Sequence, residues 1–496
     1  HLLPGVDAAV ARIRRAIDAK ESIVVYGDYD VDGVTASALL IRVLERLGAQ
    51  VTSFIPNRFN DGYGLHIECI RELKAAKNPS LLISVDCGVR SVSEVAASRE
   101  LGLDWIITDH HALGAELPPA DAVVHPLLEG YVNPHLSGVG VAFKLGQALL
   151  GAVPSPKGAD AAFLDGLLKL VAIGTIADMV PLLGENALLV RRGLQALGGS
   201  NGPGIAALLR AARVEGQPSA QDIAFGVAPR LNAVGRMGGA EDAVALLLSR
   251  DASESARLME RIEGLNQERR RIQRSLSEGL KAPADDAAFD MVVEPDAHKG
   301  VIGIVAGSRM RDHDRPTGVC TVLEGIAHCS LRAPEGFDLT ELLDRVRPFL
   351  IGGGGHRAAA GMSFEVGRLP FVRQSLEQGA QDQGKHRAGP SPLKLDGWGW
   401  DAVPSAEALA ALEPYGQGFP VPMIGVSGGL SAPMSTFGEG HVKLQLGREK
   451  LTWFFAESKL TEPYDAGAQV AFAVSPQDSA RWGRSWIVDS PLQEAP

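Results

Sequence analysis

Three aspartates alternate in Gly27-Asp28-Tyr29-Asp30-Val31-Asp32-Gly33, directly after the β-branched run Ile23–Tyr26. In extended backbone, residues two apart point the same way, so Asp28, Asp30 and Asp32 can line one face. Like charges packed side by side are unfavourable unless a cation neutralises them. The plain alternative is an acidic turn with Asp32 capping a helix. Later apolar runs end in similar residues: Asn57 and Arg58 after Val51–Ile55, Asp86 after Leu81–Val85, and Asp109-His110-His111 after Trp105–Thr108. In an open parallel sheet, ligands bind beyond the carboxyl ends of the strands, so these groups would share one edge. Carboxylates with one or two imidazoles and no thiolate suit Mn²⁺ or Mg²⁺ better than structural zinc. Five or six such ligands exceed the needs of one ion that keeps its waters, which predicts two divalent cations. Ions about 3.5–4 Å apart can activate a water and stabilise the leaving oxygen of a phosphoester. The chemistry predicted is hydrolytic phosphoryl transfer.

A second candidate site is Gly352-Gly353-Gly354-Gly355-His356-Arg357, with Ser330 and Arg332 upstream. Glycines allow close backbone approach, and successive N–H groups can cradle an anion; the alternative is a simple turn. The segment Pro229–Arg236 adds Arg230, Asn232 and Arg236 on an expected loop. Arg269, Arg270 and Arg271 lie beside the apolar stripe Leu258, Ile262, Leu265, Ile272 and Leu276 of a long helix expected over 254–280. They are either phosphate contacts or a solvated face.

The elements that must hold these residues alternate between apolar runs of about five residues and helical segments of about ten, which argues for parallel β-α-β units. From about residue 138 to 250 the pattern is mainly helical. A second α/β block spans about 290–383, a polar linker 383–392, and the remainder has short strand-like runs suited to a small β-barrel or sandwich. With 496 residues, roughly three domains are expected. A hydrophobic content of 45% and a charged content of 22% exclude a disordered chain. A net charge of −11 argues against a nucleic-acid coat, though not against an enzyme that gathers carboxylates around metal ions. No apolar run is long enough for a membrane helix, so no membrane association is expected. The four cysteines form neither a CxxC pair nor a disulfide-rich pattern, pointing to a reducing cytoplasm. The sequence begins with histidine and lacks a signal-peptide core, as expected of a fragment of a longer protein.

Taken in order, these motifs resemble the DHH phosphoesterase superfamily, and within it the bacterial single-strand-specific 5′→3′ DNA exonucleases. The resemblance rests on DYDVDG at 28–33, PNR at 56–58, VDCG at 85–88, DHH at 109–111, SGVGVAFKL at 137–145, GTIADMVPL at 174–182, PRLNAVGRM at 229–237, HKGVIGIVAGSR at 298–309 and GGGGHRAAAG at 352–361. It implies an N-terminal parallel-sheet DHH domain (1–250), a connecting helix (251–281), an α/β DHH-associated domain (282–388) and a C-terminal OB-fold barrel (392–496). It adds Asp178 as a ligand: Asp30, Asp32, Asp86, His110 and Asp178 would hold two Mn²⁺ or Mg²⁺ ions, with Asp86 between them. Asp28 and Asp109 would orient these groups, and His111 would contact the scissile phosphate or protonate the leaving group. Asn57, Arg58, Arg230, Asn232, Arg236, Ser330, Arg332, Gly353, Gly354, His356 and Arg357 would bind substrate. Ala333 stands where relatives commonly carry serine. Five tryptophans (398, 400, 453, 482, 486) fall in the last segment, for base stacking or for the barrel core. The implied activity is release of 5′-mononucleotides from single-stranded DNA with a 5′-phosphate, in recombination and repair. The strand would enter a channel between the two α/β domains too narrow for duplex. A single-strand-binding protein and a RecQ-type helicase are the implied partners, and a monomer is expected. Rival readings are an oligoribonuclease or cyclic-dinucleotide phosphodiesterase of the same superfamily, and a non-catalytic scaffold with degenerate metal motifs.

Overall fold

A computed structural model describes residues 3–57, 64–153, 161–385, 393–402, 405–438, 440–454, 456, 460, 462–479 and 483–492. The chain divides into two compact units, one of His1–Val180 with Leu188–Gly389, the other of Pro181–Ala187 with Pro390–Pro496.

The first unit opens with a parallel five-stranded sheet of β1 (Ser22–Gly27), β2 (Gln50–Phe54), β3 (Leu81–Val85), β4 (Asp104–Thr108) and β5 (Ala122–Val124), in the order β2-β1-β3-β4-β5. β1, β3 and β4 are apolar runs because both faces of the sheet are covered, and β3 is buried throughout. The edge strand β2 is only half-buried. The chain leaves β1 toward β2 on one side and returns to β3 on the other. This reversal opens a crevice at the carboxyl ends of β1 and β3, the place where open α/β sheets bind ligands. The short strand β5 and the helix Val6–Asp18 complete the layer, neither of which the sequence pattern picked out.

Helices follow, as expected from residue 138 onward. Among them, Ala228–Met237 corrects one expectation: the segment carrying Arg230, Asn232 and Arg236 is a helix, not a loop. It continues directly from the π-helical turn Asp222–Val227, whose irregular hydrogen-bond ladder accommodates Pro229, and Gly238 ends it at φ 90°. The connecting helix runs Ala252–Gly279; Leu258 and Ile262 are buried, and Ile272 and Leu276 pack against Val301, Ile302 and Val305.

The second sheet contains β6 (Asp290–Val293), β7 (Thr317–Leu323), β8 (Ile326–Arg332), β9 (Gly352–Gly355) and β10 (Ala359–Glu365), ordered β6-β7-β8-β10-β9. It buries Leu331, Leu342, Phe364 and Leu376 against the helices Leu339–Val346 and Leu369–Gly384. Two expectations are corrected here. The glycine run, expected as a loop, is the exposed edge strand β9, paired with β10 on one side. Extended backbone is open to glycine, and the β10 ladder satisfies half of its polar groups. The four cysteines, which form no disulfide-rich pattern, include one bonded pair: Cys320 and Cys329 lie directly opposite on β7 and β8. The expected linker also starts later, because Gln383 and Gly384 belong to the preceding helix.

The second unit holds a seven-stranded sheet of β11 (Gly397–Trp398), β12 (Ile424–Gly429), β13 (Ser435–Phe437), β14 (His441–Leu446), β15 (Glu449–Trp453), β16 (Gln469–Ser479) and β17 (Gly483–Pro491). In the order β11-β12-β16-β17-β15-β14-β13, distant members meet again through a bridge between Leu430 and Leu446, so the sheet curls toward closure. This architecture is consistent with an OB-fold. Trp453 and Trp486 are buried in its core and Trp400 packs against it, while Trp398 is half-buried. Trp482 lies outside the described residues. Core filling, not stacking on bases, is therefore the role of Trp453 and Trp486.

Candidate metal centre

The register of the first sheet brings its chemistry to one level. Gly27 pairs with Val85, and Val85 with Thr108, so Asp28, Asp86 and Asp109 leave adjacent strands side by side. Asp30 begins the helix Val31–Arg46 and accepts from the Gly33 N–H at 3.0 Å. The capping role that the plain alternative gave Asp32 thus falls to Asp30. Asp32 turns inward instead and accepts from the N–H groups of Gly138 at 2.5 Å and Val139 at 2.8 Å. These open the helix Gly138–Ala152, whose N-terminal dipole favours a carboxylate. Asp86 adopts the left-handed conformation (φ 63°), which aspartate tolerates better than most residues. Asp178, just beyond the helix Ala161–Ala177, closes the ring.

His110 Nε2 lies 3.1 Å from Asp86 Oδ1, 3.6 Å from Asp178 Oδ2 and 3.8 Å from Asp32 Oδ2. Three overlapping sets have ligand atoms within 4.8 Å of one another: Asp86, His110 and His111; Asp32, His110 and Asp178; Asp28, Asp30 and Asp86. Asp86 and His110 each belong to two sets. Asp86 Oδ1, His110 Nε2 and Asp178 Oδ2 are buried with no hydrogen-bond partner among the described residues. Buried polar atoms are ordinarily paired, and three unpaired acceptors facing one another fit a divalent cation.

Burial and mutual repulsion dominate the electrostatics. Burial, then Asp178 and Asp30, push the Asp32 carboxyl well above the usual range. Burial, then Asp32, Asp30 and Asp178, do the same to Asp86. Asp178 is raised to about 7 by burial and by Asp30. His110 is lowered to about 4 by burial and by His111. Asp109 behaves oppositely. Burial would raise it, but His111 Nδ1 at 2.8 Å and the Val89 N–H at 2.9 Å hold it down to about 2. His111 is raised to about 9, because the bond to Asp109 outweighs a burial that would lower it.

These shifts set a pH dependence for the metal-free protein. A histidine whose folded value is raised stabilises the fold fully below its unfolded value, and this stability is lost as pH rises through the folded one. For His111 the window runs from about 6.5 to about 9. Its side chain is 35% exposed, so solvent screening reduces the contribution to on the order of 1–2 kcal/mol. Asp32 and Asp86, raised by burial and like charge, act with the same sign. The chelated protein is therefore expected to melt at progressively lower temperature from pH 6.5 to 9, and Mn²⁺ to raise the melting temperature more at the alkaline end. A chelated protein that melts higher at the alkaline end contradicts this.

One supporting residue was not legible in the sequence. His125, fully buried, donates from Nε2 to the His111 carbonyl at 2.8 Å and accepts from the Leu127 N–H through Nδ1 at 3.1 Å. The bond from Nδ1 fixes the ring to its own segment, and the bond from Nε2 ties that segment to the backbone of the Asp109-His110-His111 turn. His125→Phe is expected to reduce turnover roughly 10-fold and His125→Asn to restore part of it, since groups behind a site typically contribute 10–100-fold. Equal rates for both variants and the parent would show that the turn holds itself.

A cavity of about 320 Å³ opens over the cluster, lined by Asp28, Tyr29, Asp30, Asp32, His111, Asp178, Met179, Asn232 and Arg236 among others. Asn232 and Arg236 thus share the metal cavity, and so do Tyr29 and Met179, which sequence reasoning did not select. Arg230 faces elsewhere, paired with Glu263 at 2.7 Å. Asn57 follows β2, half-buried, and Arg58 lies outside the described residues. Ser330 and Arg332 stand on β8, across from the helix Ile302–His313 at Gly303. Gly353 and Gly354 are on β9; His356 follows it, its N–H bonded to Ala359, and Arg357 reaches Asp338 at 3.3 Å.

A crevice lined with aspartate and histidine at the strand reversal of such a sheet is the arrangement of the DHH superfamily. The sequence matches the DHH family, N-terminal domain, over residues 22–175 and the DHHA1 domain over 286–382. The single-stranded-DNA-specific exonuclease RecJ of Bacillus subtilis is 40% identical over 76% of this chain and 48% of its own length. RecJ of Dickeya dadantii is 34% identical over 85% of this chain and 78% of its own. The crystal structure of Thermus thermophilus RecJ in complex with Mn²⁺ covers all of this chain and 72% of its own at TM-score 0.83 and 30% identity. The chain belongs to the RecJ family, and it spans about half the length of the Bacillus relative.

Proposed function

We propose that this chain is a single-strand-specific DNA exonuclease that removes 5′-mononucleotides, working from a 5′-phosphate in the 5′→3′ direction. The observation that carries the reading is the cluster of Asp28, Asp30, Asp32, Asp86, His110, His111 and Asp178 around three buried, unpaired ligand atoms. Asp30, Asp32, Asp86, His110 and Asp178 would hold two divalent cations, Mn²⁺ or Mg²⁺, Asp86 serving both. When bound, such a pair activates water and neutralises charge on the reacting phosphate.

The chain's own groups do the rest. Asp32 is fixed by two backbone N–H groups, and Asp30 by its helix. Asp109, bonded to His111 Nδ1, orients that imidazole on the cavity wall, where it would donate to the leaving oxygen. Arg236 and Asn232, which line the cavity from the facing helix, would bind the phosphate oxygens. Ser330, Arg332, Gly353, Gly354, His356 and Arg357, with Asn57 and Arg58, would grip the 5′-terminal phosphate, and Arg230 would support the track. Residues 1–250 would form the catalytic domain, 251–281 the spacer, 282–388 the substrate-holding domain and 392–496 a single-strand-binding domain. A single-strand-binding protein and a helicase that exposes single strands are the partners this activity calls for, with the enzyme acting as a monomer.

The test offers Mn²⁺-loaded protein a 5′-phosphorylated single strand, the same strand as blunt duplex, and a dinucleotide. Mononucleotide release from the single strand alone, starting at the 5′ end, is the expected result. Equal cutting of duplex, or preference for the dinucleotide, would sink the assignment.

A further inference from the structure

Apart from the metal cavity, the first unit contains a depression of about 520 Å³ whose walls include Arg213, Arg230, Glu263, Gln267 and Arg270. Three separate elements supply them. Arg213 follows the helix Pro203–Ala211 in the left-handed conformation (φ 57°), a backbone state that bulky residues adopt at a cost. Arg230 comes from the helix Ala228–Met237. Glu263, Gln267 and Arg270, spaced four and three apart, share one face of the connecting helix. Arg230 is neutralised, its Nε bonded to Glu263 and its Nη1 to the Gly226 carbonyl. Arg213 and Arg270 have no acidic partner among the described residues, so the depression carries an excess of two positive charges beside the Gln267 amide.

We infer that this depression binds backbone phosphates of the DNA strand outside the metal cavity, an inference that rests on the function proposed above. The two cavities flank one helix. Asn232, Gly235 and Arg236 face the metal centre, while Arg230, two residues and about 200° of helical rotation from Asn232, faces the depression. A helix is only about 10–12 Å across, so a strand whose end lies in the metal cavity reaches the depression within a few nucleotides. Guanidinium groups with free donors and an amide suit phosphate oxygens, and their planar forks can bind them bidentately.

The test compares the parent chain with the double variant Arg213→Gln, Arg270→Gln. Both side chains are exposed, and a melting curve checks that the fold is kept. Binding of a 5′-phosphorylated oligothymidylate is measured in chelator by fluorescence anisotropy across a salt series. Two lost phosphate contacts lower the slope of log affinity against log salt by about 1.4, so over a fourfold rise in salt the variant loses about 7-fold less affinity than the parent. A 5′-mononucleotide should bind both proteins equally. Identical slopes for the two proteins overturn the inference while leaving the proposed function standing. A variant that loses only mononucleotide affinity also overturns it, by assigning the depression to free nucleotides. If the parent chain binds no oligonucleotide, the function fails and the inference with it.

Discussion

Asp86→Asn is expected to lower phosphodiesterase turnover at least about 10³-fold, roughly 4 kcal/mol in barrier, at saturating Mn²⁺. Asp86 belongs to two of the three ligand sets, and its Oδ1 is buried, unpaired and 3.1 Å from His110. The amide keeps the size of the side chain and the tolerance for a positive φ, but it removes the charge that a cation pair would share. Stability should move the other way. Burial and four neighbouring aspartates push the Asp86 carboxyl upward, so its ionised form costs the metal-free fold free energy. The chelated variant is therefore expected to melt no lower than the chelated parent at pH 8, by scanning fluorimetry. Retained Mn²⁺-dependent hydrolysis would remove Asp86 from the centre. A variant that melts well below the parent in chelator would mean that the cluster is held by something other than a cation.

The second large effect is expected at a residue with no side chain. A Cβ added at Gly138 would lie 2.5 Å from Asp86 Oδ1, 2.6 Å from its Cβ and 2.7 Å from its Cγ. Its own N–H is one of the two that hold Asp32. Gly138→Ala must therefore displace Asp86 or withdraw the helix end from Asp32, and either change spoils the ligand geometry. Losses of about 10–100-fold in metal affinity or activity follow from disturbing groups behind a metal site. Isothermal titration with Mn²⁺ measures the first directly. The Gly151→Ala variant, where an added Cβ meets nothing within 4 Å on the same helix, is the control. Equal Mn²⁺ affinities for the two variants would show that Asp86 has room to move.

The sheet and most of the centre were legible because one pattern carries both. A buried parallel strand reads as a short apolar run, and the residue after it is at the crevice; Asp28, Asp86 and Asp109 needed no further information. Asp178 gave no such signal, since it follows a helix, and only the family resemblance pointed to it. The errors share a cause. Gly352–Gly355 and Pro229–Arg236 contain residues usually read as breakers, but pairing with β10 makes the first a strand, and the second continues the π-helical turn Asp222–Val227 as a helix. The pairing of Cys320 with Cys329 depends on the register of β7 against β8, which spacing alone does not define. His125 was invisible for a similar reason: its long-range partner, the His111 carbonyl, is a backbone group brought close only by the fold.

The candidate ligand atoms come from Asp28 at one extreme to Asp178 at the other, with the N–H groups of Gly138 and Val139 supporting Asp32 between them. No short stretch of this chain could retain a cation once the sheet and these helices separate, because closing such long loops costs entropy that a peptide cannot recover. Ion release and loss of tertiary order should therefore be a single cooperative event, and bound Mn²⁺ a reporter of whether the whole scaffold is assembled.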